Sequence, residues 1–114
     1  MTERRDKIVE ELKRKVLEEV MKTAVTMSIA VDKYFALNYG KDFLTLLLED
    51  PIQAYRNLIE YFESVESADF YIYLVLKPIF SHKVDEALAH LKRDDEEEFK
   101  KLLKATLQHY LMKV

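Results

Sequence analysis

The sequence predicts an all-α fold, a helical bundle of five to six helices led by a long N-terminal helix. Three observations carry that expectation. From Thr2 to about Asn38 no Pro or Gly interrupts the chain, and Val9, Leu12, Val16, Val20, Ala24, Met27, Val31 and Phe35 recur in steps of three and four. The whole chain holds one Gly and two Pro, too few to supply the closely spaced turns of a β-sandwich. Apolar residues make up 49% and charged residues 34%, a balance that supports a packed core under an ionised surface and argues against disorder. With 114 residues the chain suits a single domain, 1–114.

Each element has a local reason. The first helix carries Glu3 with Lys7, Glu10 with Arg14, Glu11 with Lys15 and Glu18 with Lys22, pairs four residues apart in the favourable order. Gly40 closes it, because glycine enters the left-handed region without steric penalty. Asp42 caps a short leucine-rich helix that stops before Pro51. Asp50 and Pro51 then open a third helix with Ile52, Tyr55, Leu58, Ile59 and Phe62 on one face.

Segment 70–80, FYIYLVLKPIF, is the most apolar stretch and reads as a helix, since a lone strand would leave its ladder groups unpaired. Pro78 should kink or end it, and Ser81 should cap a continuation bearing Val84, Leu88 and Leu91. Asp94 with Glu97 has capping-box spacing for the last helix, whose first turn is acidic and is followed by lysines.

Charge and cysteine usage exclude several function classes. The net charge is −3 with both signs interspersed, so no overall field draws the chain to nucleic acid or anionic lipid. The absence of Cys removes disulfide frameworks, thiolate zinc sites and cysteine nucleophiles. No signal-type or membrane-spanning apolar run occurs, which places the protein in the cytoplasm as an expectation. Abundant Lys and Glu with scarce Gln match a bias of hyperthermophile proteins. There is no Gly-rich phosphate loop and no nucleophile elbow, so catalysis is not expected and no cofactor is implied.

Candidate sites follow from spacing. His82, Glu86 and His90 would align along one helix side as metal ligands, but no second helix offers further ligands, so solvated surface is the better reading and no metal site is assigned. Arg4, Arg5, Arg14 and Lys15 form the basic face of an alternative nucleic-acid-associated role, weakened by the acids among them. The tyrosines Tyr71 and Tyr73 sit in a helix apolar nearly all round, which needs cover from the core or from another subunit.

Residues 31–80 resemble an uncharacterised archaeal helical family named as a Nitrosopumilus output domain. The resemblance rests on YGKDFLTLLLEDPIQAYRNLIEYF, where one helix closes at Tyr39 and Gly40 and Asp50 with Pro51 opens another before Phe62. It covers under half of the chain. It implies a small signalling or protein-interaction module with no catalytic residues to carry over.

The length of the first helix sets the main structural question. Straight, it would extend roughly 55 Å, whereas a domain of this size has a radius of gyration of about 13 Å. It either bends around Thr23 to Ser28 or projects and is covered by another protein. The stripe Val9, Leu12, Val16 and Val20 favours projection, hence a homo-oligomer in which residues 5–25 meet a partner subunit.

Overall fold

The computed structural model describes the backbone of residues 2–113 and the side chains of residues 7–109. Its elements are α1 (Thr2–Tyr39), α2 (Phe43–Glu49), α3 (Pro51–Phe62), α4 (Val65–Phe80), a 3₁₀ turn (Ser81–Lys83), α5 (Val84–Lys92) and α6 (Glu96–Lys113). The all-α bundle with a long first helix is therefore as the sequence predicts, and no strand occurs among the described residues.

α1 does not project. At Ala24 the backbone leaves helical geometry, with φ −146° and ψ 53°, and the helix becomes two arms meeting at an elbow. The N-terminal arm buries Ile8, Leu12, Val16 and Val20, and the C-terminal arm buries Ser28, Val31 and Phe35. The molecule measures 39 × 27 × 25 Å, so a straight helix of 38 residues would overrun it.

Local chemistry contributes little to the bend. Neither Gly nor Pro lies in α1, and alanine is the strongest helix former. The Thr23 hydroxyl donates to the Glu19 carbonyl at 3.4 Å, a long back-bond of the kind that loosens a helix. Burial decides the outcome. Taking four aliphatic side chains out of water is worth roughly 6–12 kcal/mol, at about 1.5–3 kcal/mol each. One interruption forfeits at most a few backbone hydrogen bonds of about 1 kcal/mol net each. The arm folds back because its apolar column gains more from the core than α1 loses at Ala24.

α4 is the central helix, packed by α1, α3, α5 and α6. That placement answers the demand of its nearly all-apolar surface: Tyr71, Ile72, Val75, Leu76, Ile79 and Phe80 are all buried. Phe35, Phe43, Tyr71 and Phe62 form a chain of ring contacts that joins α1, α2, α4 and α3.

The caps follow the sequence in part. Gly40 has φ +69° and its N–H donates to Ala36 O at 3.0 Å, ending α1. The Asp42 carboxylate accepts from Thr45 N–H at 2.7 Å and opens α2. Asp50 precedes Pro51 as expected, but its side chain caps nothing; its N–H instead closes α2 on Leu46 O at 2.7 Å. Pro78 sits inside the last turn of α4, which runs on to Phe80. Ser81 does not cap α5: with φ 54° and ψ −120° it is the C-terminal cap of α4, and its N–H donates to Lys77 O. The box expected at Asp94 and Glu97 does not form; a one-sided cap lies one residue later, and the Asp95 N–H donates to His90 O at 2.9 Å. Asp94 adopts φ 62° and pairs with Arg56, while the Asp95 carboxylate accepts from Glu98 N–H at 3.3 Å.

Candidate interaction surface

The N-terminal arm carries two adjacent apolar columns. One, Ile8, Leu12, Val16 and Val20, faces the core, with Leu12 2% and Val20 1% exposed. The other starts one residue along, about 100° around the helix. It comprises Leu17 (46% exposed), Met21 (40%), Val25 (44%) and Ile29 (59%), and it crosses the elbow at Ala24. Scattered exposed aliphatics are ordinary, but these four recur in steps of four residues, Leu17 and Met21 before the break at Ala24 and Val25 and Ile29 after it, and a straight helix would align them as one ridge. Ion pairs flank it, Arg14 with Glu18 at 2.9 Å and Lys22 with Glu19 at 3.6 Å.

Beside the ridge, under the elbow, lies a cavity of about 130 Å³ with Leu17, Val20, Ser28, Asp32, Phe43 and Tyr71 in its wall. Small-molecule sites usually enclose roughly 300–1,000 Å³, so this space belongs to the packing of the bend. Burial raises the Asp32 carboxyl above 3.8; the Phe43 N–H, donating at 3.3 Å, opposes that rise and the charge of Asp42 adds to it. Burial also pushes the Tyr71 phenol up to about 12, against a lowering hydrogen bond with Ser28. On the far side of α4, Tyr55 donates to Asp69 at 2.6 Å, and burial followed by that carboxylate raises its phenol.

The sequence-selected residues are distributed differently from expectation. Leu12, Val16, Val20 and Tyr71 lie in the chain's own core and present no surface while the chain is closed in this way; Val9 and Tyr73 are half-buried. The reason is the bend, which turns the presumed outer stripe inward. Lys77 holds its ammonium 5.9 Å from the Tyr73 ring centre. Of the basic face, Arg14 pairs with Glu18, and Lys15 borders an open groove with His82 and His109. The side chains of Arg4 and Arg5 lie outside the described residues.

The His82, Glu86 and His90 ladder does not form. His82 belongs to the 3₁₀ turn and not to α5, and His90 is buried with its Nδ1 2.9 Å from Arg93 Nη2. Among the described residues no group of three or more His, Asp or Glu could hold a metal ion. No helix among them is long and apolar enough to cross a membrane.

The exposed ridge is the feature that sequence reading missed. Its signal is present in the four-residue steps of Leu17, Met21, Val25 and Ile29, parallel to the buried column and offset by one. No family model, curated protein or solved structure matches this chain.

Proposed function

We propose that the protein is a helical interaction module that self-associates through α1 and acts by presenting a face, with no catalysis of its own. The observation that carries this reading is the exposed ridge Leu17, Met21, Val25 and Ile29. The occupant is a second copy. The four residues are placed symmetrically about residue 23, so two antiparallel α1 helices, once straight at Ala24, would set Leu17 against the partner's Ile29 and Met21 against the partner's Val25. Such a self-complementary patch is what a two-fold interface requires. The module would work in the cytoplasm, and the role agrees with the interaction function implied by the resemblance of residues 31–80.

The alternative nucleic-acid reading gains less support. Exposed Glu10, Glu11, Glu18 and Glu19 interleave with Arg14 and Lys15 on the same arm, which dilutes any phosphate-binding field.

Sedimentation equilibrium tests the proposal. The wild-type chain should show a mass above 13.6 kDa that rises with concentration, and M21E/I29E should return it to 13.6 kDa without loss of helicity. A wild-type monomer throughout the micromolar range would overturn it.

A further inference from the structure

The ridge alone is too small to hold two copies together. Four half-exposed aliphatic side chains offer roughly 200 Å² per protomer, given about 60–120 Å² for each when fully exposed. Stable interfaces bury roughly 1,200–2,000 Å² in total. Self-association through α1 therefore needs more surface than the bent chain displays. The structure contains a source for it, the column Ile8, Leu12, Val16 and Val20, which already fits a seat against α4, α2 and α6.

We infer that α1 straightens at Ala24 and passes residues 7–23 to a second copy, giving an arm-exchanged dimer whose two-fold seam is Leu17, Met21, Val25 and Ile29. The inference rests on the self-association reading above and adds its mechanism.

Two independent features of the chain converge on it. The first is the hinge. The non-helical backbone is confined to Ala24, within a segment that has neither Gly nor Pro to require a break, so a continuous helix is open to the same sequence. Exchange keeps every apolar contact of the arm, because the seat on the second copy is identical to the one vacated. A short hinge between an element and an unchanged seat is the general route to domain-swapped dimers.

The second feature is the position of the exposed ridge. In an exchanged dimer the two hinges lie against each other, and the residues around Ala24 form the only contact that the closed chain does not already make. The exposed ridge occupies that place, spanning residues 17–29 across the elbow. In the straightened helix its four-residue steps make it a single ridge of the type that packs against a like helix. Exchange thus covers the ridge and restores the helix in one rearrangement.

The arm's contact with α2 supplies the test. Lys13 Nζ donates to Thr45 Oγ1 at 2.7 Å, and the chain has no cysteine of its own. A chain carrying K13C and another carrying T45C are unfolded together, refolded, and treated with a short bifunctional maleimide; sedimentation of the refolded mixture is recorded in parallel. Exchange predicts a covalent pair at twice 13.6 kDa on a denaturing gel, absent from either single variant alone.

A second variant reads the hinge. A24G disfavours helix at both hinges of the dimer and should weaken dimerisation roughly 20-fold, whereas it should leave simple surface pairing unchanged. A dimer by sedimentation with no covalent pair and no effect of A24G would overturn arm exchange and leave self-association standing. A monomer at every concentration would remove both.

Discussion

Replacing Leu12 with Ala probes whether the N-terminal arm is a separately docked unit. Leu12 is 2% exposed in the middle of the buried column. Leu-to-Ala changes in cores cost about 2–5 kcal/mol, depending on how far the site can collapse. The arm lies at the outside of the bundle, with exposed Glu11 and Arg14 on its outer face, and it can settle inward. The low end, about 2.5 kcal/mol, is therefore appropriate. If the arm opens as a unit, that loss falls on local opening and raises the open population roughly 60-fold. The assay is limited trypsin digestion at low protein concentration, followed at Arg14, Lys15 and Lys22. Cleavage there should accelerate by that factor, while L37A, at a site 77% exposed, should change nothing. L91A, a core change in α5 at 1% exposure, should lower the melting midpoint without matching that acceleration; equal acceleration by L91A would show that the arm opens only with the whole domain. The hinge argument at Ala24 would then be refuted.

Other substitutions test the electrostatic and polar account. Asn57 is buried with its Nδ2 lacking a hydrogen-bond partner, while its Oδ1 accepts from Gln53 at 2.9 Å. N57L should stabilise by about 1–2 kcal/mol in urea unfolding, since Gln53 is exposed and regains water. Asp32, held above 3.8 by burial, binds its proton more tightly when folded than when unfolded, so its contribution to stability is lost as pH rises through the folded value. D32N should therefore raise the midpoint at about pH 7 and give no advantage at about pH 3, as judged by thermal melts in matched salt. D95A should cost about 1 kcal/mol by removing the α6 cap, and D94A less, because its partnership with Arg56 is exposed; equal effects would refute the placement of the cap.

The features legible in the sequence are those fixed within a turn or two of chain. Asp42 capping Thr45, Gly40 closing α1 and Pro51 opening α3 depend on residues no more than four apart, and they form as read. The helical reading of 70–80 holds because α4 became the element that four others cover. Misreadings begin where one backbone torsion redirects the chain. A left-handed Asp94 moves the α6 cap to Asp95, and positive φ at Ser81 diverts His82 from the helix that would have aligned it with Glu86 and His90. Neither torsion has a residue signature, because Asp and Ser occupy positions where glycine would have announced the turn.

The bend belongs to a different class, since no local term decides it. α1 has two adjacent columns of aliphatic residues, and a single helix packed on one core can turn only one of them inward. Sequence reading recognised the first column and placed it on a partner, whereas the chain folds it onto itself and leaves the second in water. In the closed chain the exposed aliphatic residues of α1 are thus Leu17, Met21, Val25 and Ile29, while Leu12, Val16 and Val20 lie in the core. The elbow and the exposed column are consequences of one surplus of apolar surface. A closed chain covers half of it by breaking α1 at its strongest helix former, while the exchanged pair proposed above would cover both halves with α1 intact. Concentration should therefore set which form prevails, and dilution should restore the elbow.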